Sequence, residues 1–83
     1  MKRSDLLARM ARLARRYGFE FSRKPDVHGG GHDKWYVRGD AVIVPRHVEI
    51  NELTARGILK EWEALLAEAL RDMEKDDEGE GNE

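Results

Sequence analysis

KWYVRGDAVIVP, residues 34–45, decides how this chain folds. Two runs rich in aromatic and β-branched residues, Lys34-Trp35-Tyr36-Val37 and Ala41-Val42-Ile43-Val44, flank the short segment Arg38-Gly39-Asp40. Pro45 ends the second run. Runs of that composition, so closely spaced, predict two antiparallel strands joined by a tight turn. Neighbouring side chains on a strand point to opposite faces. Trp35 and Tyr36 therefore lie on different sides of the sheet, and only one of the two is free to meet a ligand.

The pattern changes period on both sides of this hairpin. Upstream, Leu6, Leu7, Met10, Leu13, Ala14 and Tyr17 recur at helical spacing, with Ser4 as a candidate N-cap and Asp5 in the first turn. Gly18 is placed to end that helix in the left-handed conformation. Arg9, Arg12 and Arg16 share the opposite face. Residues 19–23 alternate apolar and polar, which predicts a strand, and Pro25 stops it. The segment Gly29-Gly30-Gly31 then reads as a pliant loop. Downstream, a second helix is expected from Asn51, with Ile50 placed for a hydrophobic staple. Its apolar positions are Leu53, Ile58, Leu59, Trp62, Leu65, Leu66, Ala69, Leu70 and Met73. Residues 75–83, KDDEGEGNE, contain no apolar side chain and are expected to be a disordered acidic tail after a domain spanning 1–74.

The predicted order is α-β-β-β-α. An α+β fold follows, a three-stranded antiparallel sheet with two helices on one face, because that arrangement buries both helix stripes with short connections. It is the arrangement of a double-stranded-RNA-binding domain.

Composition narrows the functional classes. With 83 residues the chain makes one domain with a modest core. The absence of cysteine excludes disulfides and thiolate metal sites and suits the cytoplasm. No apolar run reaches the ~20 residues of a membrane helix, and the N-terminal stretch lacks the apolar core of a signal peptide. The formal net charge of −2 conceals a polarity: residues 1–24 carry +6, residues 25–50 carry −1 and residues 51–83 carry −7. A basic half of that kind suits a polyanion.

His32 is the sharpest chemical candidate. Imidazole exchanges protons near neutrality, and RNA brings its own nucleophile in the 2′-hydroxyl. Cleavage then needs a base, an acid and positive charge around the phosphate. Gly30 and Gly31 would let backbone approach the phosphodiester, and Lys24, Lys34, Arg38 and Arg46 would supply charge. Arg9, Arg12 and Arg16 would extend a track for RNA. The simpler alternative is a surface histidine on a loop. His28, His32 and His47 could together offer three metal ligands, but loop spacing does not bring them together, and neither metal nor cofactor is expected. No Gly-Lys-Ser/Thr follows the glycines, so a nucleotide-binding P-loop is excluded.

Several pieces resemble the HicA toxin family, small ribonucleases of bacterial and archaeal toxin–antitoxin pairs. They are MKRSDLL, YGFEF, GGGHDKWYV, AVIVPRH and NELTARGILKEWE, in order over residues 1 to about 66. The resemblance implies a double-stranded-RNA-binding-like fold and metal-independent cleavage of mRNA that inhibits translation. The opening of the second helix, Asn51-Glu52-Leu53-Thr54-Ala55-Arg56, holds one acid and one base, which disfavours duplex and favours single-stranded mRNA. The essential histidine of the family's glycine-Ser-His motif would be His32. The family's serine is replaced by Gly31, and His47 matches a supporting position after the third strand. A HicB-like antitoxin covering His32 is also implied. The rival expectation is a module of the same fold that binds RNA without cleaving it.

Overall fold

The computed structural model describes residues 1–22 and 24–81, and the side chains of those residues apart from Gly29 and residues 76–81. Five elements follow in order: α1 (Arg3–Arg16), β1 (Val27–Gly29), β2 (His32–Val37), β3 (Asp40–Pro45) and α2 (Glu52–Gly81). The three strands form one antiparallel sheet in the order β1-β2-β3. This is the expected α+β arrangement.

The β2–β3 hairpin is antiparallel as expected, with Val37 opposite Asp40 and His32 opposite Pro45. Its two-residue turn, Arg38-Gly39, has φ of 49° and 96°. Positive φ at both central residues matches the right-handed twist of the flanking strands, as in a type I′ turn. Trp35, Val37, Val42 and Val44 project to the helix side and are buried. Tyr36 and Ile43 project to the other side and remain about half exposed.

The first strand departs from expectation. Residues 19–22 form no strand, and residue 23 lies outside the described residues. The strand is instead Val27–Gly29, which pairs with β2 through Gly29 opposite His32. What read as a pliant glycine loop is thus a second tight hairpin with Gly30-Gly31 as its turn. Gly30 has a φ of 58°, whereas Gly31 lies outside the left-handed region. Positive φ at the first position alone is the pattern of a type II′ turn, for which glycine is the usual residue. The alternation of Phe19 and Phe21 has another cause. Both pack against the core, and the Phe21 ring stacks on Trp35 with centroids 5.9 Å apart and meets Trp62 edge-on at 5.8 Å.

Helix α1 buries Leu6, Met10 and Ala14. Its N-cap position is Lys2, which makes no side-chain cap, so Ser4 falls inside the helix. The start is held otherwise: Arg3 N–H donates to Val48 C=O at 2.8 Å, and Lys2 bridges to Glu49. Its end conforms to expectation. Gly18, with φ of 83°, donates to Arg15 C=O at 3.0 Å, and Phe19 N–H donates to Ala14 C=O at 2.8 Å. These two bonds make a Schellman motif.

Asn51 caps α2, its Oδ1 accepting the Leu53 N–H at 2.8 Å. The helix buries Ala55, Ile58, Trp62, Leu66 and Ala69, while Leu53 is exposed. Both indole N–H groups find acceptors, Trp62 at Met10 C=O (2.9 Å) and Trp35 at Ser22 C=O (3.0 Å). Buried tryptophan needs such a partner. The α2 backbone is helical through Gly81, into the stretch expected to be disordered. An already nucleated helix extends without a further nucleation cost, even through weak helix formers such as Asp76, Asp77 and Gly79. Residues 82 and 83 lie outside the described residues. Among the described residues no helix is long and apolar enough to cross a membrane.

Candidate functional site

The hairpin places His32 as the first residue of β2, beside the glycine turn and opposite Gly29 and Pro45. Its side chain is exposed. Alternation along β2 then puts His32, Lys34 and Tyr36 on one face, with Asp33, Trp35 and Val37 on the other. The register adds Val27 and Ile43 on either side of Lys34. The helices cover only the face of Trp35 and Val37, so the face of His32 is open.

The predicted residues divide among five places. His32, Gly30 and Gly31 share one end of the sheet, and Arg46 is tied to it by its N–H donating to Gly31 C=O at 3.2 Å. Exposed His47 follows directly. Half-buried Lys34 stands further along the open face. Arg38 occupies the turn at the opposite end, about 20 Å of strand from His32. It therefore does not share a phosphate with that imidazole. Lys24 is exposed in the segment before β1. Arg9, Arg12 and Arg16 line a shallow groove with Leu13 and Leu59 in the helix layer, and they do not join the open face of the sheet.

A second cluster escaped the sequence reading. Asp33 points inward and is 3% exposed. Its carboxylate accepts from Arg3 Nη2 at 2.5 Å, from Arg46 Nε at 3.0 Å, and faces His28 Nδ1 at 3.1 Å. Arg3 also donates through Nε to Pro45 C=O at 3.0 Å. Burial works to raise the Asp33 pKa, but the hydrogen bond and charge of Arg46, with the charges of His28 and Arg3, outweigh it. The carboxyl is held below its ordinary value. A buried carboxylate persists only when paired in this way. The available signal was an acid at an inward position of an alternating strand, visible only once β2 is started at His32 instead of Lys34.

The cluster joins α1, β1, β2 and the residue after β3. It also places His28 on the face opposite His32, so the two imidazoles do not converge. Among the described residues no group of three or more His, Cys, Asp or Glu side chains is placed to hold a metal ion.

No protein-family model matches the chain, and no curated protein or solved structure matches it either. What the site does is therefore argued from its chemistry.

The arrangement offers one solvent-facing imidazole, a side-chain-free turn beside it, and a lysine two residues along the same face. It can exchange a proton with a group lying on the sheet and neutralise a neighbouring anion.

Proposed function

We propose that the chain is a metal-independent endoribonuclease, the toxin of a type II toxin–antitoxin pair that cleaves mRNA and inhibits translation. The observation that carries this reading is the placement of His32. Its imidazole is exposed at the open end of the sheet, beside Gly30-Gly31, with Lys34 on the same face. The motifs shared with the HicA family support the same assignment, as does the α-β-β-β-α order.

In the proposed reaction His32 acts as general acid/base on the 2′-hydroxyl of RNA. The 2′-hydroxyl proton passes to His32 as the 2′-oxygen bonds to phosphorus; the bond to the 5′-oxygen breaks, a solvent water protonates that oxygen, and the products are a 2′,3′-cyclic phosphate and a 5′-hydroxyl. Lys34 offsets phosphate charge, the Arg46 guanidinium being held by Asp33 at 3.0 Å, and His47 has a supporting place. Because the substrate supplies its own nucleophile, no metal is needed to activate water. A HicB-like antitoxin would act by covering His32, and the cytoplasm would be the site of action.

The rival reading is a module that binds RNA without cleaving it. Duplex binding by such a module calls for cations at the start of the second helix to span a groove. Here the Arg56 guanidinium lies 3.9 Å from the Glu52 carboxylate, which offsets its charge. The deciding experiment incubates purified protein with a transcript in EDTA. Fragments ending in 2′,3′-cyclic phosphate are expected; intact RNA, bound or unbound, would refute the nuclease.

A further inference from the structure

We infer that the open face of the sheet is a track for one unpaired RNA strand, with Tyr36 as the platform on which a base stacks. The inference deepens the function proposed above by naming the strand state of the RNA and a subsite distant from His32, and it rests on that reading for the identity of the polymer.

Three side chains on β2 define the track. His32, Lys34 and Tyr36 follow one another at intervals of two residues on the same face. Each interval advances about 6.7 Å, close to the reach of one nucleotide in an extended strand. A phosphodiester beside His32 therefore leaves the next phosphate near the Lys34 ammonium and a base over the Tyr36 ring. The tyrosine is 43% exposed, although its neighbours Trp35 and Val37 are buried. Its backbone is fixed, the N–H donating to Asp26 Oδ2 at 2.6 Å.

The flanking residues fit the same occupant. Val27 and Ile43 bracket Lys34 and are 44% and 49% exposed, providing apolar floor for ribose and base edges. Asp26 and Glu20 line a depression beside Tyr36 with Phe21, Ser22, Trp35 and Trp62. Their carboxylates repel phosphate at this end of the track. Arg38 occupies the turn beyond Tyr36, so Lys34 and Arg38 stand on either side of the ring, and the ring itself is left to a base. That spacing matches a strand whose backbone passes Lys34 while one base is splayed onto Tyr36.

A duplex hides its base faces and cannot use such a platform, whereas single strands are held by aromatic stacking together with basic residues. A protein partner seeking an apolar patch would meet Lys34 at its centre.

The test uses a short 2′-O-methyl oligoadenylate, in which the nucleophile is blocked so that binding is read apart from cleavage. Affinity at low salt should fall about tenfold in Tyr36→Ala and in Tyr36→Leu, and stay within about twofold in Tyr36→Phe. Tyr36→Leu keeps an apolar strand residue and guards against loss of fold in the alanine variant. Perturbed amide signals should map to His32, Lys34 and Tyr36, and the same sequence in duplex form should bind more weakly. Unchanged affinity in folded Tyr36→Leu, equal affinity for duplex, or no binding by the wild type would overturn the track. Tyr36-dependent binding with no cleavage of unmodified RNA would leave the track standing and defeat the nuclease reading.

Discussion

Gly30 and Gly31 are neighbours in one turn, yet their backbones make different demands. Gly30 has φ of 58°, where a Cβ is strained whatever the surrounding space; Gly31 does not, and a Cβ there meets nothing within 4 Å. Gly30→Ala should therefore lower stability by about 1–2 kcal/mol in urea titrations. Gly31→Ser, which restores the hydroxyl of the resembled family, should stay within about 0.5 kcal/mol of wild type. Equal losses in both variants would mean that the turn is of another type. Asp33 makes a pH-dependent prediction. Its native pKa is depressed, so its contribution to stability is complete above the ordinary carboxyl value of about 3.9 and is lost as pH falls through the lowered native one. Asp33→Asn should lower stability at neutral pH and flatten the acid limb of the stability curve. An unchanged limb would show that the Arg3, Arg46 and His28 contacts do not set that pKa.

At the scale of elements, the acidic end of α2 has no apolar side chain to bury, since residues 75–83 read KDDEGEGNE. Among the described residues Ala69 is the last buried one, and Met73 is 43% exposed. Deleting residues 75–83 should leave the thermal midpoint within about 2 °C of the full chain. A larger drop would mean that the end of the helix packs on the domain. Most elements were legible because each had a strong local signal: the 3.6-residue spacing of Leu6, Met10 and Ala14, the Gly18 stop, the Asn51 cap, and the alternation across Arg38-Gly39. The first strand was not. Phe19-Glu20-Phe21 has the period of a strand but lacks a ladder partner, because the Gly30-Gly31 turn commits Val27–Gly29 to β2. Two phenylalanines packed on the core, Phe21 against Trp35 and Trp62, leave the same sequence trace as a half-buried strand. Of the candidate site, the exposure of His32 beside its glycines was legible, but not that β2 begins at His32 and so sets it on one face with Lys34. The Asp33 cluster was not, since Arg3, His28, Asp33 and Arg46 are brought together only by tertiary pairing of four segments.

At the scale of the molecule, the chain's basic residues are not one surface. The α1 arginines belong to the helix layer, and the open face presents His32 and Lys34. Salt should therefore separate the two. Lys34→Ala should reduce the slope of log affinity against log salt for single-stranded RNA by about 0.7, the value of one released counterion. Arg9→Ala should leave that slope unchanged. The reverse result would move the RNA to the helix layer. The most direct test compares cleavage of one transcript in EDTA by wild type, His32→Ala and His28→Ala, each first shown to be folded. Loss of rate by about 10²–10⁴-fold in His32→Ala, with His28→Ala retaining activity, is the expected result. Wild-type cleavage by folded His32→Ala would contradict an acid/base role for the imidazole on the open face.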